Sequence, residues 1–77
     1  MDIEKKIIEC AADAYGVEED KITADTDIRN DLSKQSLMMI AFISSIEDEL
    51  DVRVDMREAA DLKTIRDFAN KVKEMMA

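Results

Sequence analysis

Hydrolytic and group-transfer sites need a nucleophile with a base to activate it, or a metal to polarise its target. This chain of 77 residues has no histidine and one cysteine, Cys10. A serine–histidine–aspartate triad cannot be assembled from it. Its 19 aspartates and glutamates offer many carboxylate pairs, but an acid becomes a catalyst only when a pocket perturbs it, and in so acidic a chain these groups read as solvated surface. Asp25, Asp27 and Asp31 begin with the spacing of a calcium loop. The template then fails: Arg29 stands at its fifth position, Asn30 where the turn wants glycine, and Ser36 where a bidentate glutamate belongs. No metal site is expected. Cys10, at helical spacing beside Ala11 and Ala14, reads as a small core filler rather than a reactive thiol. Ser36 is the more informative residue, because it stands where an acidic loop gives way to a strongly patterned helix. On local physics alone its first reading is a helix N-cap.

The elements that would position Ser36 follow from periodicity. Asp2 is placed to cap a helix over residues 3 to 15, in which Ile3, Ile7, Ala11 and Ala14 recur at three- and four-residue steps and Gly16 marks the end. Residues 17 to 35 lack a sustained period, yet Val17, Ile22, Ile28 and Leu32 recur at intervals that could tether them. A second helix from Ser36 to Leu50 puts Met39, Phe42, Ile43, Ile46 and Leu50 on one stripe. Val54 to Ala60 suggests a short helical turn or two. Thr64-Ile65-Arg66-Asp67 has capping-box spacing ahead of a last helix that buries Ile65, Phe68, Ala69, Val72 and Met76. Val52-Arg53-Val54 alternates but is too short for a sheet. With no proline and a single glycine, the expectation is an all-α domain over residues 1–77. It has three main helices, one short helix and a long loop after the first. A chain of this length buries only ~60% of its unfolded surface, which leaves little room for a catalytic cavity.

A formal charge of -8 and a pI near 4.4 have the wrong sign for phosphate backbones, so nucleic acid is not an expected partner. The same field raises encounter rates with basic protein surfaces, an effect that salt weakens. No apolar run is long enough to span a membrane, and the N-terminus has no apolar signal core. A lone cysteine makes no intramolecular disulfide. A cytoplasmic monomer without stable membrane insertion is expected.

Asp31-Leu32-Ser33-Lys34-Gln35-Ser36-Leu37 resembles the signature of the acyl carrier protein family, Asp-Leu-Gly-x-Asp-Ser-Leu. Gly16-Val17, the Asp- and Thr-rich loop, Ile46-Glu47-Asp48-Glu49-Leu50, Val54 and Asp61-Leu62-Lys63-Thr64-Ile65 extend the resemblance in family order over nearly the whole chain. The resemblance implies a four-helix bundle that is not itself an enzyme. A phosphopantetheinyl transferase would move 4'-phosphopantetheine from coenzyme A onto Ser36. Acyl-loading and acyl-transferring enzymes would then use the arm's thiol to carry thioesters, for fatty-acid or specialised acyl-chain biosynthesis. An aminoacyl or peptidyl carrier, including a D-alanyl carrier, uses the same arm and fold. A carrier-fold protein that is never modified and acts as an interaction partner is the remaining alternative.

The chain departs from the signature at Ser33 and Gln35, where the family has glycine and aspartate, and Lys34 adds a positive charge between them. From Lys34 to Ile46 there is no acid. On the helical wheel Leu37 and Ala41 lie opposite the core stripe, with Met38 and Ile40 on its flanks. Met38, Ile40 and Ala41 are therefore either a broadened core or part of a contact patch. The expected partner face comprises Lys34, Gln35, Leu37, Met38, Ile40, Ala41, Ser44, Glu47 and Asp48. An acidic block from Glu47 to Asp61, offset by Arg53 and Arg57, would steer partners. Such a face suits a carrier dedicated to one or a few partners.

Overall fold

A computed structural model describes residues 2–77. Its helices are α1 (Ile3–Tyr15), α2 (Ser36–Leu50), α3 (Met56–Ala60) and α4 (Ile65–Met76). The segment between α1 and α2 carries a 3-10 turn at Glu19–Lys21 and a π-helical turn at Ile28–Leu32. The fold is all-α, with no strand among the described residues; Asp27 and Thr64 form an isolated antiparallel bridge. No helix among these residues is long and apolar enough to cross a membrane.

Each helix begins and ends for a local reason. The Asp2 carboxylate accepts from the Lys5 N–H at 3.2 Å. Gly16 ends α1 at φ 67°, and its N–H donates to the Ala12 carbonyl. A Cβ at Gly16 would meet nothing within 4 Å, so the demand for glycine there is conformational rather than steric. Asp51 ends α2 in the same left-handed region, at φ 52°. At the start of α4 the capping box is complete. The Asp67 N–H donates to the Thr64 hydroxyl at 3.2 Å, while Asp67 Oδ2 accepts from the backbone N–H groups of Thr64 and Lys63, both at 3.1 Å.

The stripe of α2 is buried as its spacing predicts: Met39, Phe42, Ile43, Ile46 and Leu50. It meets Ile7, Cys10, Ala11 and Tyr15 of α1 and Ile65, Phe68, Ala69 and Val72 of α4 in one core. Phe42 stands at the centre, edge-to-face with Tyr15 (centroids 5.9 Å apart) and with Phe68 (5.0 Å), a geometry that adds to the burial of the rings. Met76, expected on the buried face of α4, is 48% exposed. Periodicity gives the direction of a side chain but not whether a neighbour extends over a helix's final residue; Met75 is the one partly buried against the core.

The long loop is anchored rather than loose. Ile22 and Ile28 are buried, and Val17 and Leu32 pack partly against the core. Three backbone bonds stitch the loop to the start of α4: Ile28 N–H to the Lys63 carbonyl (2.8 Å), Ile65 N–H to that of Thr26 (3.1 Å) and Arg66 N–H to that of Ala24 (2.9 Å). Arg66 also pairs with Asp25.

Candidate attachment site

The approach to Ser36 is fixed by the π-helical turn. Asp27 Oδ1 accepts from the backbone N–H groups of Arg29 (3.0 Å) and Asn30 (2.9 Å), and Asp31 Oδ2 accepts in return from the Asp27 N–H (2.8 Å). The bonds from Asn30 above all hold the Asp27 carboxyl below its ordinary value. The loop aspartates thus serve as caps of their own turn, with Asp25 on Arg66. Ser33 closes the turn through its N–H to the Ile28 carbonyl at 3.0 Å. Its hydroxyl accepts from the Gln35 N–H at 3.1 Å. These bonds set residues 33 to 35 extended and start α2 at Ser36.

Ser36 is not the N-cap. Gln35 occupies that position, at φ -71° and ψ 125°, without a side-chain capping bond, and Ser36 is the first helical residue. Its side chain is exposed. A residue already in helical conformation cannot turn its hydroxyl onto the N–H groups one turn ahead as an N-cap does. The capping preference of serine thus located the start of α2 one residue late.

Of the expected partner face, Lys34, Gln35, Leu37, Ile40, Ala41, Ser44 and Asp48 are exposed, Leu37 at 76% and Ile40 at 49%. Met38 is partly buried and packs against the core. Glu47 is also partly buried, and its carboxylate is engaged by the Val54 N–H at 2.9 Å. Between the start of α2 and α3 lies a cleft of about 210 Å³. Arg29, Ser33, Lys34, Gln35 and Ser36 form its polar side, and Met39, Ile40, Met56, Ala59 and Ala60 its apolar side. Sequence reasoning missed Met56, which is 49% exposed, and missed Arg29. Met56 and Ile40 line the cleft from α3 and α2, a long-range juxtaposition, and local spacing does not announce that Arg29 Nη1 reaches the Leu62 carbonyl at 3.0 Å.

A second, more open groove lies along α1 and shares no lining residue with this cleft; Lys6, Glu9, Asp13, Glu18, Glu19 and Glu49 surround Cys10 and Ser45 there. Burial pushes the Cys10 thiol up, with the Ser45 hydroxyl opposing it. The thiolate form is thereby disfavoured.

Residues 5–72 match the family described as a phosphopantetheine attachment site. The chain is 35% identical over 72 residues to the acyl carrier protein of Lactobacillus acidophilus, covering 94% of this chain and 90% of that protein. It is 32% identical over 73 residues to the acyl carrier protein of Akkermansia muciniphila (95% and 91% covered). Against that of Bdellovibrio bacteriovorus it is 30% identical over 70 residues (91% and 90% covered). A small helical carrier fold and an exposed serine at the mouth of a cleft are thus joined by likeness over nearly the whole length. The chain belongs to the acyl carrier protein family. Membership implies a covalently attached 4'-phosphopantetheine, a carrier function, and dealings with modifying and acyl-handling enzymes. The group supplies a terminal thiol that holds acyl chains as thioesters. The residues fit it: an exposed hydroxyl free of capping duty opens onto a cleft whose polar side has two cations and no acid.

Proposed function

We propose that Ser36 bears the phosphopantetheine arm and that residues 1–77 act as one non-catalytic carrier of acyl thioesters, modified and loaded by separate enzymes. The observation that carries this reading is the exposed, non-capping hydroxyl of Ser36 at the serine of the matching motif. Ser36 is then a substrate, which is why the chain needs no base of its own. The pathway proposed is fatty-acid or specialised acyl-chain biosynthesis in the cytoplasm.

Partners would meet the apolar shelf around this serine. Leu37, Ile40 and Met56 are large and exposed, and Lys34, Gln35 and Ser44 rim them with polar groups. An apolar cluster with a polar rim suits a contact surface, and methionine adapts to uneven partners. We assign the face to one or a few dedicated enzymes, since Gln35 and Lys34 replace the acidic approach that the family signature offers.

The test is intact mass after incubation with coenzyme A and a broad-specificity phosphopantetheinyl transferase, and again after isolation from the native cell. The expected result is a gain of one phosphopantetheine that Ser36→Ala abolishes. A chain that stays unmodified in both settings overturns the attachment reading. It would favour instead the unmodified interaction protein, towards which Lys34 and Gln35 point.

A further inference from the structure

The cleft beside Ser36 has a charge opposite to that of the molecule. The chain carries 19 acids against 11 bases, yet the cleft is lined by Arg29 and Lys34 and by no acid. Nearby carboxylates are committed elsewhere: Asp27 and Asp31 to the amides of their own turn, Asp55 to the Arg57 N–H at 2.7 Å, and Glu58 to Lys71 at 2.7 Å. Arg29 is held at the cleft wall by donating to the carbonyls of Leu62 (3.0 Å) and Ala59 (3.5 Å), which uses two of the five N–H donors a guanidinium offers. Neither Arg29 nor Lys34 enters an ion pair among the described residues. Two cations outside any ion pair among the described residues, in a cleft shared with Ser36, suit an anion placed on that serine.

We infer that Arg29 and Lys34 form a seat for the phosphodiester of the arm, an inference that rests on attachment at Ser36. Lys34 supplies a mobile charge at the mouth and Arg29 a fixed one at the wall. The seat restrains the root of the arm and leaves its thiol end free to travel. α2 begins with neither a side-chain cap nor a first-turn acid, so the same phosphodiester also complements that helix end.

The test compares apo and holo full-length protein, wild type and Lys34→Gln, each with attachment confirmed by intact mass. At low ionic strength attachment raises the thermal midpoint of the wild type by about 2–4 °C. The rise shrinks by half or more in Lys34→Gln, and the difference closes in 1 M salt, where screening acts over ~3 Å. The holo phosphorus resonance also shifts between the two proteins. Equal midpoint rises and an unchanged phosphorus resonance, with mass gain present, overturn the seat alone. No mass gain in the wild type overturns the attachment reading beneath it. Lys34 is exposed, so the apo fold survives its replacement.

Discussion

Ser36 and its neighbours Leu37 and Met39 show how one helical turn separates three jobs. Ser36 makes no capping bond, so Ser36→Ala should leave stability within about 0.5 kcal/mol of wild type while removing modification. Leu37 and Ile40 are exposed and Met39 is buried. Leu37→Ala and Ile40→Ala are therefore expected to slow acyl transfer by a partner enzyme without moving the urea midpoint. Met39→Ala should lower stability by about 2–5 kcal/mol. Equal urea midpoints for all three would contradict this division of the helix. At this scale the sequence marked the start of α2 to within one residue. Serine's capping preference drew attention to residue 36, and only the extended backbone at Gln35 shows that the cap falls one residue earlier. Arg29 was illegible for a different reason: its bonds to Ala59 and Leu62 span 30 and 33 residues, and no local pattern encodes such a reach.

At the scale of elements, the helices were legible because their information is local. The periods of α1 and α2, the glycine after Tyr15 and the Thr64–Asp67 capping box all act within a few residues of themselves. The two short turns of the long loop were not legible. The 3-10 turn has only the bonds of Lys21 and Ile22 to Glu18 and Glu19 and no side-chain cap, while the π-helical turn is held by Asp27 and Asp31 bonding to nearby amides and by the carbonyl of Lys63, far along the chain. Thr64→Ala should cost about 1 kcal/mol through loss of the cap on α4, read as a lower thermal midpoint. Backbone bonds from Thr64 and Lys63 hold the Asp67 carboxyl below its ordinary value of 3.8, and bonds from Asn30 do so for Asp27. A carboxyl whose folded value lies below its unfolded one adds stability that is present above 3.8 and lost as pH falls through the folded value. Acid titration should therefore lower the thermal midpoint below about pH 4, and Asp67→Asn, which cannot titrate, should show a shallower fall. An identical acid profile for the variant would remove Asp67 from this account.

Over the whole molecule, charge is unevenly spent. The acids gather on the flank of α1 and in the block from Glu47 to Asp61, while the surface from Lys34 to Ile46 has none. On the proposed reading, long-range attraction to a basic partner and short-range fit at Ser36 would belong to different surfaces. Asp48 is exposed at the border between them. Asp48→Lys should slow association with a basic modifying enzyme several-fold at low salt and have little effect at 0.5 M salt, as stopped-flow rates would show; a salt-independent loss would mean direct contact instead. The stitching of the loop onto α4 has a consequence for how the protein is made. Arg66, Ile65 and Lys63 supply the bonds that hold residues 24 to 28, and they are synthesised well after Ser36. At ~5–20 residues per second, the nascent chain exposes Ser36 on a segment without its anchors for seconds before α4 can fold back. The proposed attachment serine thus acquires its final setting only after α4 has been made, so a transferase that reads this shape acts once α4 has folded back and not before.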